Sequence, residues 1–265
     1  MATAVFFHAH PDDEAIATGG TMARMAADGH RVVLVTATRG ELGEVPDGFL
    51  DPGQTLAERR ADELAAACAV LGVARHVYLG YGDSGMAGED TNNDPDCFWQ
   101  ADVEEAAQRL AAILRSEGAE VLTAYDENGN YGHPDHIQVH RVGLRAGEIA
   151  AVPRVFMATV NRDYMKGLLE TEAGSAFLAA EGEGPPIDNL GVSEERITTA
   201  VDVSGVLDQK RGAMKAHASQ ISETSFFLSM PAESFASVWG FEWYIRVGGE
   251  PARPYGDSLL GPEAP

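Results

Sequence analysis

The chain of 265 residues reads as an α/β protein, a three-layer sandwich with helices on both faces of a mostly parallel central sheet. Three observations predict it. Short apolar, β-prone runs recur along the chain, helical patterns separate them, and two dense clusters of His and Asp directly follow two of the runs. Strands alternating with helices give a parallel sheet reached by right-handed crossovers. Such sheets bind ligands beyond the carboxyl ends of their strands. Both clusters are thus expected on one edge of the sheet, which becomes the candidate active site.

The apolar runs occupy residues 4–7, 31–36, 76–79, 121–124 and 155–160, each short enough to be a strand buried on both faces. A helix is predicted over 13–27. The pattern over 55–71 is sharper: Thr55 and Glu58 have capping-box spacing, Leu56, Leu64, Ala67, Cys68 and Leu71 mark one face, and Gly72 supplies a stop. Further helices are expected over 102–117 and 136–150. Beyond residue 160 the pattern loosens into a helix over 164–180, a Gly/Pro-rich loop at 182–186, a strand over 197–203 and a helix over 206–217, with a surface tail from Gly248. No linker divides the chain, so one domain over 1–265 is expected, with residues 1–150 carrying the site and 151–265 completing the sheet and the substrate pocket.

Composition narrows the function. Nineteen Lys and Arg against 41 Asp and Glu give a net charge of −22, which repels nucleic acid and anionic membranes, so neither is an expected partner. No stretch approaches the roughly 18 apolar residues of a membrane span, and no basic leader precedes the first run; a cytoplasmic protein is expected. Cys68 and Cys97 lack the spacing of a metal or redox motif; Cys68 reads as a buried thiol of its helix and Cys97 as an ordinary loop or core residue.

The first cluster is His8-Ala9-His10-Pro11-Asp12-Asp13-Glu14. Pro11 disfavours helical geometry at His10, so the strand ends there and the aspartates fall at the start of the next helix. Helix capping accounts for one aspartate but not for a histidine beside three carboxylates. A divalent metal would gather them: His10 and Asp13, three apart across a turn, can aim at one ion, and imidazole with carboxylate suits zinc. Asp12 points elsewhere and is free to act as a base. The second cluster, Gly132-His133-Pro134-Asp135-His136, repeats the device and offers His136 as a third ligand, with His140 one turn further as an alternative. Three protein ligands leave a position open for water, as in hydrolytic rather than structural zinc sites. Ferrous iron is the alternative ion for a His/His/Asp set.

Together these motifs resemble the LmbE-like, or PIG-L, family of zinc-dependent N-deacetylases and amidases. The similarity extends through Arg60-Ala61-Asp62-Glu63, Asp83-Ser84-Gly85-Met86 and Tyr125 to Tyr131, covering about residues 3–150 well and the remainder weakly. Within the family the motifs are most similar to the branch of mycothiol metabolism, which comprises N-acetylglucosaminyl-inositol deacetylases and conjugate amidases. The resemblance implies a Rossmann-like fold, zinc bound by His10, Asp13 and His136, and Asp12 as general base. It implies that His133, held by Asp135, stabilises the oxyanion or protonates the amine, that Tyr131 assists at the oxyanion, and that Arg60 and Asp83 contact sugar hydroxyls. The expected substrate is an N-acetylated amino sugar or glycoside. The alternatives are a larger acyl amide such as a thiol conjugate and, from another class, a metal- or sugar-binding module without turnover. An unligated Asp12 beside the metal argues against the module.

Gly80-Tyr81-Gly82-Asp83-Ser84-Gly85 satisfies a dinucleotide-binding pattern, but a polar loop follows where a helix would be needed. His8 is expected to be a hydrogen-bonded core residue. His217 reads equally as a helix-terminal residue or as part of the pocket rim. The aromatic set Phe226, Phe227, Trp239, Phe241, Trp243 and Tyr244 reads as core.

Overall fold

A computed structural model describes residues 1–171 and 186–261. Its strands are β1 (Thr3–His8), β2 (Arg31–Thr36), β3 (Arg75–Tyr78), β4 (Val121–Tyr125), β5 (Arg154–Thr159), β6 (Thr199–Asp202) and β7 (Phe241–Arg246), which form one sheet in the order β3-β2-β1-β4-β5-β7-β6. The first five run parallel, with Thr3 opposite Arg31 and Ala4 opposite Val121. β7 is antiparallel to both β5 and β6. At the centre Phe6, Phe7, Val33, Leu34 and Leu122 are wholly buried, which explains why these strands read as unbroken apolar runs. Strand order reverses between β1 and β4, and the crevice beyond their carboxyl ends is where ligands bind in such sheets.

The longer helices among the described residues are α1 (Gly19–Ala27), α2 (Leu56–Leu71), α3 (Val103–Glu117), α4 (Pro134–Ala150), α5 (Arg162–Leu169), α6 (Leu207–Ala216) and α7 (Ala232–Trp239). They form two main groups: α2 packs on α6 and α1, and α3 packs on α4. The capping box of α2 is present in full, and Gly72 closes the helix in the left-handed conformation. Asp102 caps α3 by accepting from the Glu105 amide.

Three elements differ from expectation. The helix over 13–27 is divided into a π-helical turn, Glu14–Thr18, and α1. α4 starts two residues early because Pro134 is favoured in the first turn, which makes His133 the N-cap and brings Asp135 and His136 into that turn. β7 adds a strand where only aromatic core was foreseen. Of the helix expected over 164–180, the structure describes Arg162–Leu169; residues 172–180, and 182–185 of the Gly/Pro-rich loop, lie outside the described residues. No helix among the described residues is long and apolar enough to cross a membrane.

Candidate metal centre

Beyond β1 the chain turns sharply through His10-Pro11-Asp12. Asp12 has φ of +112°, a conformation that costs a non-glycine residue about 1–3 kcal/mol and persists only where neighbours enforce it. The turn is fixed by the Asp12 amide donating to Glu14 Oε2 at 2.9 Å and the His10 amide donating to Asp13 Oδ2 at 2.8 Å. Its result is to part the two aspartates. Asp13 faces the imidazoles, while Asp12 Oδ2 lies 3.1 Å from Arg60 Nη2.

Beyond β4, Asp126 organises the second turn. Its Oδ1 accepts from the amides of Asn128 and Asn130 at 3.0 and 2.9 Å, and Thr159 donates to its Oδ2. Gly129, at φ +58°, passes so close to α4 that a Cβ there would lie 2.5 Å from that of His136. The turn thus seats the helix carrying His136 against the loop carrying Tyr131.

The two turns converge. One ligand atom each from His10, Asp13 and His136 falls within a 4.8 Å group. Asp13 spans the histidines, with Oδ2 3.5 Å from His10 Nδ1 and Oδ1 3.3 Å from His136 Nε2. His10, Asp83 and His133 form a second such set that shares His10. His140 stands apart, its Nδ1 2.9 Å from the Tyr125 carbonyl.

These donors fit a divalent cation. Three carboxylates surround His10 alone, with Asp13 at 3.5 Å, Asp83 at 3.5 Å and Asp135 at 3.1 Å. His136 Nδ1 is buried without a hydrogen-bond partner among the described residues. Burial works against charge on His10, yet hydrogen bonds to Asp13, Asp135 and Asp83 raise its pKa well above the usual value. Burial likewise opposes ionisation of Asp13, but His136 and His10 hold its carboxyl well below the usual range. A cluster with this much negative charge calls for a cation at its centre, and the ligand set is of the kind that holds zinc or ferrous iron.

The surrounding groups are differentiated by environment. Burial pushes the Asp12 carboxyl up to about 6, with Arg60 opposing. Burial, with His10 and His136, pushes His133 down to about 3. The Asp135 amide donates to His133 Nδ1 at 3.1 Å, so the proton of the neutral ring sits on Nε2. Burial and the charge of Asp13 keep the Tyr131 hydroxyl protonated, and it lies 3.5 Å from His136 Nε2. His8 is buried between Tyr125 and Thr18, as expected of a core histidine.

Other expected contacts are rearranged. The side chain of Asp135 reaches His10 Nε2 and the Ser84 amide, so its hold on His133 comes through the main chain. Arg60, expected to meet sugar hydroxyls, is buried; it donates to the carbonyls of Pro11 and Gly40 and to Gln220 as well as pairing with Asp12. Asp83 accepts from the Gly85 and Leu42 amides. A polar cleft of about 610 Å³ opens beside Tyr131, lined also by Glu127, Arg162, Asp188 and Arg196. Sequence patterns gave no hint of the last three, because they come from the weakly patterned part of the chain beyond residue 160.

Comparison with known proteins shows the family and the fold. The chain is 45% identical to a 1D-myo-inositol 2-acetamido-2-deoxy-alpha-D-glucopyranoside deacetylase of Acidothermus cellulolyticus, over 95% of this chain and 90% of that protein. The fold is shared with N,N'-diacetylchitobiose deacetylase from Pyrococcus horikoshii, at TM-score 0.52 and 22% identity, covering 89% of this chain and 73% of that one. It is also shared with GalB, the 4-carboxy-2-hydroxymuconate hydratase of Pseudomonas putida KT2440, at TM-score 0.65 and 18% identity, covering 97% and 100% of the two chains. A hydratase and a deacetylase on one scaffold show that the architecture alone does not set the reaction. Residues 5–147 match the PIG-L family, described as GlcNAc-PI de-N-acetylase, and with the curated relative this shows that the chain belongs to the PIG-L family.

Proposed function

We propose that the protein is a zinc-dependent N-deacetylase that removes the acetyl group from an N-acetylglucosamine-type glycoside in the cytoplasm, with N-acetylglucosaminyl-inositol as the best candidate substrate. The observation that carries this reading is the parting of Asp12 from Asp13: one carboxylate joins His10 and His136, and its neighbour stays unligated beside them. The names of relatives at 40–45% identity support the acyl group and the sugar.

His10, Asp13 and His136 would hold the ion. When bound, a divalent ion supplies Lewis acidity, polarising the amide carbonyl and making water acidic enough to react near neutral pH. Asp12, with a carboxyl pushed up to about 6, is ionised at neutral pH yet basic enough to take a proton from the attacking water. His133 presents Nε2–H and Tyr131 its hydroxyl, two donors for the oxygen that becomes negative as the carbonyl carbon turns tetrahedral. The proton taken by Asp12 passes to the nitrogen as the C–N bond breaks, giving acetate and the free amine. The polar cleft beside Tyr131 suits a hydroxyl-rich aglycone.

The test is amine release by the zinc-loaded enzyme from N-acetylglucosaminyl-inositol, from N-acetylglucosamine, and from a thiol-conjugated or longer-acyl amide of the same amino sugar. Fastest release from the acetylated glycoside is expected. Preference for the larger acyl group would assign an amidase instead, and bound metal without release from any amide would leave a binding module.

A further inference from the structure

Glu14 and His217 take no part in the chemistry above, yet they form one of the most enclosed polar contacts in the molecule. Glu14 Oε1 lies 2.6 Å from His217 Nε2, across 203 residues of sequence, and both side chains are wholly buried. The other oxygen, Oε2, accepts the main-chain amide of Asp12 at 2.9 Å. That amide belongs to the residue whose φ of +112° an L-amino acid rarely adopts. The side chain of Asp12 is gripped as well. Arg60 pairs with its Oδ2 at 3.1 Å, and the same guanidinium donates to Gln220 Oε1 at 3.2 Å. The Gln220 amide in turn donates to the His217 carbonyl at 3.0 Å. One turn at the end of α6 therefore reaches Asp12 by two routes, through Glu14 to its main chain and through Arg60 to its carboxylate.

We propose that Glu14 and His217 are positioning residues: the pair holds Asp12 in its left-handed conformation and so aims its carboxylate at the attacking water. A buried acid and imidazole are expensive to enclose, and an apolar pair of the same volume would pack the interior at least as well. What an apolar pair cannot do is accept the Asp12 amide while being fixed from the far side. The pair thereby gives the final third of the chain a role in catalysis without contact with substrate. This inference rests on the assignment of Asp12 as base.

The experiment compares zinc-loaded His217→Ala, His217→Gln and Glu14→Gln with the parent. For His217→Ala, kcat is expected to fall about 100-fold, as misplacement of a reacting group by about 1 Å would cause, with KM and bound zinc unchanged. His217→Gln and Glu14→Gln keep a hydrogen-bonding group at each position but lose the ion pair, and each should lower kcat by about tenfold, between the parent and the alanine variant; they also carry the test if the alanine variant fails to fold. In an Asp12→Asn background His217→Ala should cost no more than about twofold further, since the residue it positions is already disabled. Unchanged kcat in all three variants, loss of zinc in place of kcat, or an equal loss in the Asp12→Asn background would each overturn the proposal. Turnover of no amide by the parent would overturn the deacetylase reading and this one with it, whereas an active parent indifferent to these variants would overturn this one alone.

Discussion

Asp12 and Asp13 are adjacent and chemically identical, so their different fates rest on conformation alone. The positive φ at Asp12 turns one carboxylate toward Arg60 and leaves the other between His10 and His136. Asp12→Asn, nearly isosteric, should keep one equivalent of metal while kcat falls by about 10²–10⁴, the usual contribution of a general base. Metal analysis and steady-state rates on the same sample check both halves. His136→Ala should do the reverse, losing metal affinity first and activity as its consequence; dialysis against a chelator series would reveal it, and unchanged affinity would remove His136 from the ligand set. The candidate ligands were legible in the sequence because each histidine stands before or just after a proline that leads into a helix. The partners of Arg60 were not. Its guanidinium meets Pro11, Gly40 and Gln220, positions brought together only by the tertiary fold.

At the scale of elements, the parallel half of the sheet was readable for a simple reason: β1, β2 and β4 are buried on both faces and so appear as unbroken apolar runs. β7 was not, because Glu242 sits within it among aromatics and breaks the pattern. The structure shows what compensates that charge. Glu242 Oε1 accepts from the Gly20 amide and Oε2 from the Thr21 amide, both at 2.8 Å, in the first turn of α1, and Lys210 Nζ lies 2.5 Å from Oε1 with both side chains buried. A carboxylate at a helix N-terminus is stabilised by the unpaired amides and the dipole. The strand thus caps the helix that follows the metal turn from 222 residues away, a relation no local pattern can carry. Glu242→Ala would strand the Lys210 ammonium and two helix amides at once, and a loss of about 3–5 kcal/mol is expected. Urea denaturation at constant metal load measures it, and a change below about 1 kcal/mol, the scale of an exposed pair, would show that Lys210 finds other partners.

Across the whole molecule the final third reaches back to the metal turn and the helices beside it repeatedly, through Glu242 at α1, Lys210 at the Ile16 carbonyl of the π-helical turn, His217 at Glu14, and Ser219 and Gln220 at Glu63 and Arg60 of α2. The deepest of these ties, Glu14 with His217, has a pH signature. Burial alone would raise the Glu14 pKa, but His217 and the Asp12 amide bring it below its ordinary 4.5. Burial alone would lower that of His217, but Glu14 raises it above 6.5. Both partners therefore favour the ion pair. The glutamate, depressed in the folded state, contributes stability that is present above about 4.5 and lost as pH falls through its folded pKa. The histidine, raised in the folded state, contributes stability that is complete below about 6.5 and lost as pH rises through its folded pKa. The two contributions coincide between these limits. The difference in Tm between the parent and His217→Ala, measured at matched zinc, should accordingly be widest between about pH 4.5 and 6.5 and should narrow on either side. A difference that stays flat from pH 4 to 9 would mean that His217 stabilises the turn through packing and a neutral hydrogen bond, with no ion pair beneath the metal site.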